Sequence, residues 1–235
     1  MNCSISSCDR ALVGKRCRAG LGAGLALMVA LVAWSPLSSS AHTPSMDPSG
    51  LARGPYSTLR TLLQKTIFRI DVLTLEIRVD EGTRRRIEEL ARHREYSREL
   101  ADAISAVALE TRDAWIRIRL LRNVSLSRFV GGIRDGLKQA RKAGLITAQN
   151  FRYVSESLPQ WFAFLEEREL QKGDQILYRI QGDAMRTVYQ GVRGERLLDK
   201  TDHGADARLA VLGSYFAPES DFREGLVRSL FRGRE

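Results

Sequence analysis

Residues 114–137 read AWIRIRLLRNVSLSRFVGGIRDGL, and the change of period inside them decides the fold class. Trp115, Arg117, Arg119 and Leu121 alternate with Ile116, Ile118 and Leu120. That is the two-residue period of a strand with one dry face and one face where cations reach solvent or an acidic group. After Ser125, placed as an N-cap, Leu126, Phe129, Val130, Ile133, Leu137 and Ala140 recur at helical spacing, and Gly144 is placed to end the helix. Gly131 and Gly132 lower helix propensity inside that run. Close approach of the helix to a sheet is the plain reading of the pair; a backbone contact to a ligand is the sharper one.

Toward the C-terminus, Phe151, Val154, Leu158, Trp161, Phe162 and Leu165 form a second amphipathic stretch interrupted at Pro159, whose aromatics read as core. Lys172-Gly173-Asp174 then opens three strand-like runs, Gln175 to Ile180, Met185 to Gln190 and Glu195 to Asp199. Gln181-Gly182-Asp183 and Gly191-Val192-Arg193-Gly194 separate them, and turn residues at such short intervals predict an antiparallel meander. Ala207 to Phe216 and Asp221 to Phe231 read as closing helices, with Asp221 and Glu224 in a capping-box pattern.

Upstream, Thr66 to Val79 reads as one long strand whose apolar face switches near Leu73, which predicts a bend or bulge there. Arg69 and Asp71 share a face of it and form a polar pair in an otherwise apolar strand. Glu81 to Arg112 is helical in character, as two helices or one kinked helix. Residues 42–57 carry Pro, Ser and Gly with little apolar periodicity and are expected to be a flexible linker ahead of a domain spanning 58–235.

Residues 1–41 read as an export signal. Arg10, Lys15, Arg16 and Arg18 precede an uncharged apolar run from Ala19 to Trp34, and Ser39-Ser40-Ala41 supplies small residues for cleavage near Ala41. As a helix that run reaches only about 24 Å, short of a hydrocarbon core of roughly 30 Å. The expected location is therefore periplasmic or otherwise exported, with membrane attachment only if the signal stays uncleaved. Cys3, Cys8 and Cys17 all precede the apolar run, so no thiol serves the exported domain as staple, ligand or nucleophile. Removing the four basic residues and Asp9 with the signal takes the net charge from +9 to +6. Arg84-Arg85-Arg86 is the densest basic run, yet Glu88 and Glu89 follow at helical spacing, so a salt-bridged face is expected rather than a nucleic-acid surface.

The strand Thr66 to Ile77, the unit Trp115 to Leu137, the segment Leu158 to Leu165, the Lys172-Gly173-Asp174 meander and the Phe222 to Phe231 helix together resemble the bacterial chalcone isomerase-like family. The resemblance covers most of residues 58–231 and rests on element order and short patterns. It implies an α+β fold: an open-faced antiparallel β-sandwich with a layer of helices on one face and a ligand cleft between sheet and helices. In the catalytic members of that family an arginine before the long strand, a threonine within it, and a tyrosine and an asparagine near the next helix carry the isomerase reaction. Here Leu63 or Gln64 falls at the arginine, with Arg60 upstream, Asp71 falls at the threonine, and no tyrosine occurs between Trp115 and Gln149. A carboxylate at Asp71 would repel a phenolate nucleophile in a partly desolvated cleft.

The expected function is thus binding of a fatty acid or other small apolar ligand in the cell envelope, without catalysis and without a cofactor. Arg69, Asp71, Trp115, Arg117, Arg119 and Tyr178 are the candidate ligand residues, the strand arginines offering a cation for a head group and Trp115 and Tyr178 offering walls. Asp199, Asp202, His203 and Asp206 lie close in sequence, but an acidic loop before a helix accounts for them, and no metal site is expected. The competing expectations are an intramolecular lyase with altered active-site residues and a protein-interaction module of the envelope. No nucleic-acid partner is expected.

Overall fold

The computed structural model describes residues 43–65 and 70–232. The expected signal segment, its expected cleavage near Ala41 and Arg69 lie outside them. Six strands form one antiparallel sheet in chain order: β1 (Thr58–Lys65), β2 (Ile70–Val79), β3 (Asp113–Leu120), β4 (Gln175–Gln181), β5 (Ala184–Gln190) and β6 (Arg196–His203). Between β2 and β3 lie α1 (Glu81–Ala91) and α2 (Arg98–Glu110); between β3 and β4 lie α3 (Leu126–Lys142) and α4 (Ala148–Trp161); α5 (Ala205–Phe216) and α6 (Arg223–Arg228) close the chain. This is the α+β, open-faced arrangement expected from the order of elements.

Register sorts the side chains. Leu59, Ile77, Ile116, Tyr178 and Thr187 stand in one row across five strands, and Leu75, Ile118, Ile176, Tyr189 and Leu198 stand in the next. Leu59, Leu75, Ile77, Ile116, Ile176 and Tyr189 are each at most 1% exposed. Burying each such side chain contributes about 1.5–3 kcal/mol, so this face dictates where the helices go. α6 packs on β1 and α5 on β5. The opposite rows carry Arg60, Glu76, Arg117 and Asp199, and beside them Arg78, Trp115, Arg179 and Arg186.

Several local expectations change. Of the long strand read over Thr66 to Val79, residues 70–79 form β2, and a strand not anticipated, β1, pairs antiparallel with it. The face switch has the cause expected of it: Leu63 pairs with Leu73 and Gln64 with Asp71, leaving Val72 as the extra residue of a bulge. The span Glu81 to Arg112 is two helices, capped separately by Asp80 and Ser97, whose side chains accept from Thr83 N and Leu100 N. His93, at φ 57, turns the chain between them. Residues 43–57 are held against the sheet rather than hanging free. Pro44 is buried and its carbonyl accepts from Arg186 Nη1, Ser45 N donates to Gln181, and Ala52 N donates to Val79 O.

Pro159 does not interrupt α4, which continues to Trp161. Proline removes the N–H that would bond the carbonyl four residues earlier. Here that carbonyl, Ser155 O, accepts instead from Arg134 of α3 at 2.9 Å. The capping box at Asp221 is also absent, since the cap position falls on Phe222 and Glu224 pairs with Arg228. Ser125 occupies the N-cap of α3 as expected but makes no side-chain cap bond.

Lys172-Gly173-Asp174 fixes the mouth of the meander. Asp174 is fully buried and accepts from Tyr189 Oη at 2.6 Å, Gln171 N at 2.8 Å, Val192 N at 3.0 Å and Arg168 Nη2 at 3.1 Å. One carboxylate therefore joins the entry to β4, strand β5 and the β5–β6 turn. Removing it strands a buried phenol and a guanidinium. Asp174→Ala is expected to cost about 3–5 kcal/mol, against about 1 kcal/mol for Tyr189→Phe. Urea unfolding of the two variants checks this, and near-equal costs would contradict the role given to the carboxylate.

Candidate functional site

The helices do not close completely on the sheet. A cavity of about 950 Å³ lies between the apolar sheet face and α3, α4 and α5. Leu73, Ile118, Leu120 and Tyr178 floor it, while Phe129, Ile133, Val154, Leu158, Trp161 and Phe162 wall it from the helices. The cavity has a local cause in the helices themselves. Of the seventeen residues of α3 only Val130, Leu137 and Ala140 are buried, and of α4 only Leu158. The amphipathic patterns that read as core packing are partly satisfied by lining a space.

Glycine separates two jobs along α3. A Cβ on Gly136 would sit 2.9 Å from Ser214 Cβ, and one on Gly213 would sit 2.8 Å from Ala140 Cβ. Those two positions let α3 and α5 touch. Gly131 and Gly132 differ: both line the cavity and a Cβ on either would meet nothing within 4 Å. Close approach to a sheet is therefore not their reason. Their missing side chains keep volume open along the helix.

Polar and charged side chains join the apolar walls, from α3, β6 and the segments on either side of α5. Tyr178 and Tyr215 hydrogen-bond to one another in its wall. Burial pushes the Tyr178 phenol up to about 12, the bond from Tyr215 notwithstanding, and burial raises Tyr215 further, so both remain neutral hydroxyls. On the β6 side Lys200 pairs with Asp202 and lies 3.9 Å from the centre of the Trp161 ring. At the start of α3, Arg122 and Arg128 line the rim, both exposed, and neither meets a carboxylate among the described residues. Asp135 and Asp221 also border the rim, while Glu219 is paired with Lys142 at 2.9 Å. Arg128 sits in the first turn of α3, where the helix dipole is positive and no acidic residue balances it.

The residues singled out from the sequence divide between two surfaces. Tyr178 lines the cavity. Trp115, Arg117 and Arg119 do not: they share the face of β3 turned away from it, because the rows that hold Ile116 and Ile118 are the cavity side. On that open face Trp115 is 8% exposed, with the Arg78 and Arg117 guanidiniums each 5.4 Å from its ring centre. Asp71 lies in β2 opposite Gln64. Asp199 faces away too, bound by Arg186 at 2.7 Å, while Asp202, His203 and Asp206 border the cavity. Among the described residues no group of carboxylates, histidines and cysteines has metal-binding geometry. The rim cations Arg122 and Arg128 escaped the sequence reading because a loop and a first helical turn carry no periodicity that marks direction.

No family model matches the sequence, and no curated protein matches it. Among solved structures, a fatty-acid binding protein of Arabidopsis thaliana is similar at 10% sequence identity and a TM-score of 0.49, over 80% of this chain and 97% of that one.

The glycine assignment is directly testable. Gly131→Ala should stabilise the domain by roughly 0.5–1 kcal/mol, as alanine does in an unobstructed helix. Gly131→Leu should fold equally well yet take up less of a polarity-sensitive apolar dye. Unchanged dye uptake by the leucine variant would remove the glycine from the site.

Proposed function

We propose that this chain is a non-catalytic binding protein that holds an elongated apolar molecule with an anionic head, such as a long-chain fatty acid, in the cavity between its sheet and α3–α5. The observation that carries this reading is the cavity of about 950 Å³ with walls from Leu120, Phe129, Ile133, Leu158 and Phe162. Apolar walls offer water few partners, and unfilled apolar space costs about 24 cal/mol per Å³. An apolar guest meets both conditions, and its size matches the few-hundred to thousand Å³ range of small-molecule sites.

The head group belongs at the α3 end. Arg122 and Arg128 bring two unneutralised guanidiniums to the rim beside a helix N-terminus that lacks a side-chain cap. A carboxylate there would balance the charge that the dipole and Arg128 now place together. The chain then needs no general base, and the neutral Tyr178–Tyr215 pair serves as wall and hydrogen-bonding group. Read as an export signal, the basic start and apolar run of residues 1–41 support action in the cell envelope.

Arg122→Ala/Arg128→Ala should weaken binding of dodecanoic acid roughly ten-fold or more, the worth of charge-assisted hydrogen bonds. Dodecanol binding should change little. Calorimetric titration of both ligands into both proteins gives the comparison. Equal losses for acid and alcohol would refute the head-group assignment, and failure of either ligand to bind the unaltered protein would refute the function.

A further inference from the structure

We propose that the open face of the sheet carries a separate oxyanion site for a phosphate group, in the groove between Arg53, Arg60 and Arg78. The groove, about 390 Å³, is lined by these three arginines with Ser57, Thr58 and Ser229. It lies where the N-terminal segment turns into β1, on the side of the sheet away from the ligand cavity, and it depends on no property of that cavity.

Charge imbalance built around one buried carboxylate carries the argument. Glu76 is 7% exposed and stands directly across from Arg60 and Arg117 in the neighbouring strands. Its Oε1 accepts from Arg78 Nε at 2.8 Å and lies 3.5 Å from Arg60 Nη2, and its Oε2 accepts from Arg117 Nη2 at 2.7 Å. Burial raises the Glu76 carboxyl, but the bond from Arg78 and the charges of Arg117 and Arg60 outweigh it and hold the group below its ordinary value. Glu76 is thus an ionised anchor whose two oxygens are already engaged.

Three guanidiniums converge on that one carboxylate, and Arg53 lines the groove together with two of them, Arg60 and Arg78. Each guanidinium has five N–H donors in a rigid fork, so most donors here remain unmatched by Glu76. Among the described residues no second carboxylate pairs with Arg53, Arg60, Arg78 or Arg117. The hydroxyls are committed: Ser57 Oγ donates to Gly54 O, and Ser229 Oγ donates to Leu226 O while accepting from Arg60 N. They shape the groove, and the guanidiniums remain as its donors. A tetrahedral phosphate offers several strong acceptors at the spacing such forks engage. Stacking of Arg78 on Trp115 fixes the orientation of one fork.

The phosphate could be free or the head group of an anionic phospholipid, and two arms of one experiment separate these sources. The full-length chain and its Arg53→Ala/Arg60→Ala variant are titrated with inorganic phosphate at fixed ionic strength by calorimetry, and both are sedimented with phosphatidylglycerol or phosphatidylcholine vesicles. Both replaced side chains are exposed, so folding is preserved. The inference expects a ten-fold or greater loss for the variant in at least one arm. Loss in the first arm identifies free phosphate; loss with phosphatidylglycerol alone identifies a lipid head group. Equal binding by wild type and double variant in both arms, or no binding in either, overturns the site. Neither result bears on uptake of dodecanoic acid, which reads the cavity separately.

Discussion

The two-residue period of the strands is the constraint on which the rest of this structure depends. Successive side chains must leave a strand on opposite faces, and across six paired strands that rule builds one face of Leu, Ile and Tyr and another of arginines around Glu76. The apolar face recruits the helices and bounds the cavity. The charged face is left to solvent and to the segment around Pro44. Neither surface can borrow side chains from the other without a change of register. The rule is locally relaxed between Tyr189 and Gln190 and at the bulge at Val72, which brings both Val72 and Leu73 to the cavity.

Given that sheet, the cavity follows from uneven helix packing. α3 meets α5 tightly through Gly136, Ala140, Gly213 and Ser214. Nearer its N-terminus, Gly131 and Gly132 supply no side chain, and Phe129 and Ile133 line open volume instead of locking into the sheet. The fold can carry such a loosely filled region because it is pinned elsewhere. Asp174 ties the meander together with charge-assisted bonds, and Arg134 repairs the carbonyl that Pro159 leaves without a donor.

Most of this architecture was legible in the sequence because it rests on period and punctuation. The switch after Leu121, the glycine-rich turns of the meander and the face change near Leu73 each report a physical necessity of the backbone. What failed to show were long-range relations. β1 carries Arg60 and Gln64 on the face that stays open, so it lacks the apolar density that marks β2. The segment 43–57 has the composition of a linker, and only its bonds to Arg186, Gln181 and Val79 reveal its place. The alternation of Trp115, Arg117 and Arg119 against a dry face was visible, but that the ligand cavity would lie on the dry side, away from these residues, was not. That single choice separates an arginine available to a ligand from one bound to Glu76.

The most direct test of this account is where an apolar ligand sits. Anomalous scattering from a crystal of the protein with a terminally brominated fatty acid would locate the chain end. The account predicts bromine inside the cavity, among Phe129, Leu158, Phe162 and Tyr178, with the carboxylate near Arg122 and Arg128. Bromine on the open face beside Trp115 and Arg117, or no ordered bromine at all, would contradict it.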